Sequence, residues 1–517
     1  MMAAPGAGRL DQLQVIDLLE VGPVRVEKNR LSADYKVHAG AVEDTITLIY
    51  RFEEDVFDPG DAASRNLAAV MAAQVALNYG LFCRTIRFRG EYSEADRRFL
   101  EKMARNTARE IYVKKLLQPN PFLTGAAVDL PVENRADYLA AVLRFDSEAV
   151  VEQESWPVSG DRFLVLSSGG KDSLLSFGLL HELGRDPCAV FVNESGRHWF
   201  TALNAYRHFK AAHPGTARVW TNADRLFTWM LRHLPFIRPD FSSLRSDEYP
   251  VRLWTVAVFA VAALPLLRKR GIGNLVIGDE YDTTRRLTHR GIPHYDGLYD
   301  QSRYFDSAMS RFYAGKGYGV YQCSLLRPLS ELLIEKILVE RYPSLQEHQV
   351  SCHAAHMDGD RVKPCQRCEK CRRIVGMLSA VGADPRRCGY TAEGIESCLE
   401  SLVGQGVHQE SAGAGEMLRL LAERGLVSLP PGSGRHQPHP EVLSVRLDPV
   451  RSPLEAIPAC VRGGLFGLFL AHADGIVIRA GRRWEPREPA EALAAHGLEP
   501  VEHMKGLTLD ESYQERH

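Results

Sequence analysis

The chain reads FLVLSSGGKDSLLSFGLLHELG from Phe163 to Gly184. An apolar run, Phe163 to Leu166, gives way to Ser168-Gly169-Gly170-Lys171-Asp172-Ser173, and a helical pattern follows from Leu174 to Leu183. That order predicts a buried strand, a tight turn and a helix whose first N–H groups face the turn. Gly169 and Gly170 let the backbone approach a phosphate closely, Lys171 supplies a cation, and Ser168 and Ser173 supply hydroxyl donors. The turn therefore reads as an anion cradle. It departs from the Walker pattern, which needs Ser or Thr directly after the Lys to hold magnesium, because Asp172 stands in that place. It is not G-x-G-x-x-G either. Two glycines alone would be an ordinary turn, but the whole hexapeptide after an apolar strand favours a binding function.

The surroundings repeat this rhythm. Apolar strand candidates at Cys188 to Val192 and Asn274 to Ile277 alternate with helical segments, and the longest apolar stretch, Leu253 to Leu267, predicts a buried helix. Residues 151–400 are thus expected to form an α/β domain, a doubly wound and mostly parallel sheet covered by helices. Residues 1–150 predict a separate N-terminal α+β domain. Its strands fall at Leu31 to Val37, Thr45 to Phe52 and Leu81 to Arg89, with a helix over Ala62 to Tyr79 and another after Ser93, where Asp96 completes an S-x-x-D capping pattern. The Gly- and Ser-rich stretch Val403 to Gly415 reads as a linker, and Pro430 to Pro440 as a second loop. Residues 416–517 then make a small C-terminal appendage, with a helix near Gly464 to Ala471 and a strand near Gly475 to Arg479.

With 517 residues the chain is too long for one ordinary core. Its 45% hydrophobic and 25% charged content is that of a soluble globular protein, and no stretch approaches the ~20 uninterrupted apolar residues of a membrane span. The start, MMAAPGAGRLDQ, lacks a basic segment followed by an apolar core, so a cytoplasmic protein is expected. A net charge of −2 gives no electrostatic reason for nucleic acid as the main partner.

Four of the ten cysteines crowd into SCHAAHMDGDRVKPCQRCEKCRR, as Cys352-x12-Cys365-x2-Cys368-x2-Cys371. Four thiolates at this spacing fit a closed tetrahedral zinc site, structural because no ligand position is left open. An iron–sulfur cluster or a redox pair within the C-x-x-C units are the alternatives. His353 and His356, close by, read as loop histidines that ligate nothing.

SGGKDS after an apolar strand resembles the PP-loop of the adenine nucleotide alpha-hydrolase superfamily, the N-type ATP pyrophosphatases and their relatives, whose nucleotide domain is HUP-like. The resemblance implies a loop that grips the β and γ phosphates of ATP while the α phosphate is attacked, giving AMP and pyrophosphate. It implies Mg2+ bridging the phosphates, with Asp172 as ligand or near neighbour, and ATP contacts from Ser168, Gly169, Gly170, Lys171, Asp172 and Ser173. The order PP-loop, LLRPLSELLIEK (Leu325 to Lys336) and spaced cysteines is similar to 7-cyano-7-deazaguanine synthases. Roughly residues 30–380 also resemble the ATP-dependent epimerases that act on UDP-N-acetylmuramoyl-L-alanyl-L-glutamate in peptidoglycan synthesis, which likewise carry an extra α+β domain ahead of the loop. The segment GDEYDTTRRLTHRGIPHYDG departs from the epimerase pattern, and the region beyond residue 400 is an addition.

The epimerase resemblance implies adenylation of a substrate carboxylate, which removes its charge and makes the neighbouring C–H acidic. Lys171 and Asp172 would act at the phosphates. Asp279, Glu280, His294 and Tyr295 are the candidate acid and base groups, Arg285, Arg286 and Arg303 candidates for an anionic substrate, and Arg327 and Lys336 candidates to reach phosphate. The expected partners are ATP and an anionic small-molecule acceptor, the UDP-muramoyl dipeptide being favoured, with a homodimer left open. A nitrile- or amide-forming synthase, a tRNA or small-molecule thiolation enzyme, and a nucleotide-sensing module that keeps the loop as a relic are the competing readings.

Overall fold

The computed structural model describes residues 10–146, 154–196, 198–244, 249–352, 354–429 and 437–495. His353 and most of the Pro430 to Pro440 loop lie outside them. The protein is α/β, with helices around a large ten-stranded sheet. In chain order the strands of that sheet begin with β1 (Ile16–Glu27), β2 (Arg30–Ala39), β3 (Val42–Phe52), β4 (Cys83–Phe88) and β5 (Val142–Phe145). They continue with β6 (Ser159–Ser167), β7 (Cys188–Asn193), β8 (Ala217–Thr221) and β9 (Ile272–Val276). A hairpin of β10 (Arg286–His289) and β11 (Ile292–Tyr295) lies outside it, and β12 (Tyr321–Cys323) is its last strand. The strand order is β12-β9-β6-β7-β8-β3-β2-β1-β4-β5.

β6, β7 and β8 are parallel neighbours, as continuous apolar strands joined by helices should be. β9 lies on the other side of β6. Ser159 N–H donates to Gly271 O at 3.0 Å and the Asn274 amide reaches Gly160 O and Arg162 O at 2.6 and 3.2 Å, so the two strands rise together. The first strand of this set thus has later strands on both sides. β1, β2 and β3 form an antiparallel meander, and β3 pairs antiparallel with β8. The strands of the first 150 residues therefore share one sheet with those that follow. Sequence pattern has no signal for that pairing, because β3 and β8 meet at only three residue pairs, Tyr50 to Phe52 against Thr221 to Val219.

The predicted elements are present with shifted ends. The helix over Ala62 to Tyr79 is α-helical to Ala73 and then tightens into a 3₁₀ segment, Gln74–Tyr79. The helix Glu94–Ile111 starts on a capping box in which Ser93 and Asp96 satisfy each other's backbone groups. The buried helix expected from Leu253 is two short ones, Val256–Ala262 and Leu264–Arg270, because Pro265 cannot continue the first. Asp300 Oδ2 accepts the N–H groups of Thr255, Val256 and Ala257 at 2.9, 2.7 and 3.2 Å and so caps that start. Val403 to Gly415, expected as a linker, instead closes one helix, Ala392–Gln405, and opens another, Ser411–Glu423. Among the described residues no helix is long and apolar enough to cross a membrane.

The chain divides into two compact units made of interleaved stretches. The first comprises Met1–Ser168, Cys188–Leu275 and Thr283–Gln322 and contains the ten-stranded sheet except for Val276 and Cys323, the last residues of β9 and β12. The second comprises Gly169–Pro187, Val276–Asp282 and Cys323–His517. In the second, the helix Lys171–Glu182 packs on the helices Glu331–Arg341 and Pro343–Gln346. Gly178 permits that packing, since a Cβ there would stand 3.0 Å from the Tyr342 ring. A hairpin of β13 (His356–Asp358) and β14 (Arg361–Lys363) follows, and then a three-stranded sheet of β15 (Val445–Leu447), β16 (Ile476–Ala480) and β17 (Arg483–Arg487). Residues beyond 416 are built into this unit: Arg446 N–H donates to Pro328 O at 2.8 Å and Ser330 Oγ to Val442 O at 2.6 Å.

Candidate active site and metal centre

The Gly-rich turn leaves β6 and enters the helix Lys171–Glu182. Gly169 has φ +74°, a left-handed conformation that a side chain would oppose, and Gly170 is the N-cap, with no side chain capping the helix. An uncapped N-terminus is where an anion is stabilised. Ser168 is exposed, whereas Ser173 Oγ donates back to Gly170 O at 3.1 Å. The loop leaving β9 comes close: a Cβ on Gly278 would meet Asp172 Cβ at 2.6 Å and Ser173 N at 3.1 Å. Glycine at 278 is therefore the condition for the two loops to touch.

Lys171 is buried, and its Nζ lies 3.0 Å from both carboxylate oxygens of Asp172 and 2.9 Å from Glu331 Oε1. Burial works against its charge, but Asp172, Glu331 and Glu280 together hold it protonated well beyond the ordinary lysine range. Glu331 Oε2 also lies 3.6 Å from Arg373, whose guanidinium donates to His408 O at 2.8 Å. Burial alone would raise Glu331; Arg373 and Lys171 instead bring it down to about 2. Neither Glu331 nor Arg373 belongs to the residues predicted from sequence. One signal was available, since Glu331 and Glu335 stand four apart in the Leu- and Ile-rich segment Glu331 to Leu338 and so share one face of a buried helix.

Asp279 is buried on the β9 loop, its N–H donating to Ser324 Oγ at 3.1 Å while that hydroxyl donates to Asp279 O at 2.6 Å. Arg327, equally buried, lies 3.2 Å from Asp279 Oδ2, so this pair braces the loop. Burial pushes Glu280 well above the usual carboxyl range; Lys171 opposes the shift and Asp172 and Asp282 add to it. Asp282, missed by the sequence reading, is pushed to about 7 by burial and by the nearby Glu331 and Glu410. Tyr281, between them, donates to Asp448 Oδ2 at 2.7 Å, and the Arg446 guanidinium lies 5.0 Å from its ring centre.

The structure thus gathers Lys171, Asp172, Asp279, Glu280 and Arg327 into the second unit, and adds Glu331 and Arg373. His294 belongs to the first unit. It sits on β11 with its Nδ1 2.9 Å from Tyr295 O, and burial lowers its pKa. Arg285, Arg286 and Arg303 are also there, the last two lying over Tyr304 at 4.1 and 5.2 Å. Lys336 donates to His472 O, a structural contact within the second unit.

The four cysteines converge. Their Sγ atoms all lie within 4.8 Å of one another, with 3.9 Å from Cys365 to Cys371, 3.9 Å from Cys368 to Cys352 and 3.5 Å from Cys368 to Cys371. Thiolates ~2.3 Å from a tetrahedral zinc would stand about 3.8 Å apart, so the set fits such an ion. The fold explains the convergence. The β13–β14 hairpin returns the chain so that Cys365 N–H donates to Cys352 Sγ at 3.1 Å, and Cys368, as N-cap of the helix Glu369–Ala380, puts Cys371 on its first turn. These four could hold a metal ion such as zinc, and among the described residues no other His, Cys, Asp or Glu group has that closeness. No protein-family model matches the chain, and no curated protein matches it.

Proposed function

We propose that the protein is an ATP-dependent enzyme that forms AMP and pyrophosphate while activating a substrate carboxylate, on a doubly wound sheet of the HUP-like type. The observation that carries this reading is the position of the Gly-rich turn. It follows the strand at which the sheet order reverses, β6, with β7 on one side and β9 on the other, and ligands of open α/β sheets bind beyond the carboxyl ends of strands at such a reversal. The turn combines an uncapped helix start, a left-handed glycine and a charged lysine, and the β9 loop lies against it.

In this reading the backbone of Gly169 to Ser173 and Lys171 hold the β and γ phosphates. Magnesium, with Asp172 as the fitting carboxylate, would neutralise phosphate charge that the acidic surroundings otherwise repel. A carboxylate oxygen of the acceptor attacks the α phosphorus, the bond to the bridging oxygen breaks, and pyrophosphate leaves. For the favoured acceptor, UDP-N-acetylmuramoyl-L-alanyl-L-glutamate, one group then removes the proton next to the acyl adenylate, another returns a proton to the opposite face, and water releases AMP. Asp282, pushed to about 7, suits the group that takes the proton, and Glu280, which burial holds well above the usual carboxyl range, suits the group that gives one. The four cysteines would hold a structural zinc that supplies stability and no step.

The test is to incubate the purified protein with ATP, magnesium and the UDP-muramoyl dipeptide and analyse nucleotides and glutamate stereochemistry. AMP, pyrophosphate and D-glutamate are expected. AMP formed only with another acceptor would discard the epimerase and keep the activation chemistry.

A further inference from the structure

Behind the Gly-rich turn two buried side chains leave a proton to be accounted for. Glu335, on the helix Glu331–Arg341, has 0% exposure and Gln349 has 1%. Gln349 Nε2 donates to Glu335 Oε2 at 3.0 Å. The other oxygen of each group, Glu335 Oε1 and Gln349 Oε1, is buried and has no hydrogen-bond partner among the described residues. Two acceptors orphaned on the two halves of one contact are costly for a carboxylate, which has no donor to offer. A neutral carboxylic acid removes the cost, because an acid and a primary amide close a ring of two hydrogen bonds: amide N–H to acid C=O, and acid O–H to amide C=O.

We propose that Glu335 is a proton-binding site whose neutral acid donates its O–H to Gln349 Oε1. The pair adjoins the loop through the backbone, since Val350 N–H donates to Gly169 O at 3.4 Å. The charged and titratable groups that act on it are Lys171 and Asp172 from the loop helix, Glu331 from its own helix and Cys388 from the turn Pro385–Cys388. Burial is the main cause that raises Glu335 to about 7, with Asp172 and Glu331 adding and Gln349 and Lys171 opposing. Its ionisation would set a further negative charge beside Asp172 and Glu331, so the anion affinity of the loop would fall as pH rises. That consequence rests on the nucleotide reading above, whereas the proton does not.

A raised folded-state pKa contributes stability that is complete below the ordinary value of 4.5 and is lost as pH rises through about 7. Glu335→Gln keeps the ring as an amide pair and has no proton to lose. Thermal unfolding of the full chain from about pH 5 to 9 should therefore show wild type and E335Q close together on the acid side. Above neutrality the wild type should fall behind by a few degrees. Infrared spectra of the wild type near neutrality should show the carbonyl band of a buried, hydrogen-bonded acid that is absent from E335Q, and Gln349→Leu should shift that band to the position of an acid without an acceptor. Parallel unfolding profiles, or a wild type without an acid band, would overturn the proposal. If E335Q fails to fold, the infrared titration of wild type and Q349L decides alone. Failure to bind ATP would remove the nucleotide reading and leave the proton pair standing.

Discussion

The two sites of the second unit are assembled in opposite ways. The cysteine site is nearly local: its ligands lie within residues 352–371, and one hairpin and one helix start bring them together. The loop cluster draws on separate stretches, Lys171 and Asp172 from one, Asp279 and Glu280 from another, Arg327, Glu331 and Arg373 from further along. Function is readable from spacing only where the ligands are local. A metal site announces itself because chelation needs like residues at short intervals. A buried ion network does not, because its partners meet only after the chain has folded.

If that contrast is right, breaking the local site should cost folding, and breaking the assembled one should cost chemistry first. The largest effect is expected for Cys368→Ser. Metal content should drop from about one ion per chain to near none, and cooperative unfolding of the second unit should be lost or shifted far down, since structural zinc sites contribute folding energy outright. Metal analysis with calorimetry measures both, and a coloured, iron-containing parent would replace zinc with a cluster.

Next comes Lys171→Met. AMP formation should fall by about 10²–10³-fold, the scale of removing one preorganised charge donor from a reacting oxyanion. The metal content should stay at the parental value. Because Asp172 and Glu331 would lose their shared cation, stability should also fall, by roughly 3 kcal/mol. A variant that keeps full activity would detach the loop from the chemistry.

A smaller effect is expected for Glu331→Gln. A carboxyl whose folded pKa lies below the ordinary value of 4.5 gives stability that is present above that value and lost as pH falls through about 2. The variant should therefore be less stable than the parent at neutral pH and converge with it in strong acid. Denaturant midpoints across the acid range measure this, and curves that stay equally separated would deny the pairing with Arg373 and Lys171.

The sequence made the strand, turn and helix around Gly169 legible, because an apolar run, two glycines and a helical pattern are each local signals. It made the cysteine cluster legible for the same reason. It did not reveal that β3 hydrogen-bonds to β8, since pairing between distant strands leaves no mark in either one, or that the compact units interleave along the chain. Arg373 was hidden among neighbouring cations in the run Lys370 to Arg373, and only the fold brings it to Glu331. The linker reading of Val403 to Gly415 failed for a related reason. Glycine and serine weaken a helix by about 1 kcal/mol or less each, an amount that packing of Leu402, Met417 and Leu418 overrides.

In the proposed function the loop serves attack at the α phosphate of ATP. The most direct measurement gives the protein ATP labelled at the α phosphorus, with magnesium and the UDP-muramoyl dipeptide, and separates the labelled products. Label is expected in AMP, with equimolar pyrophosphate. Label in ADP, with inorganic phosphate released instead, would contradict it.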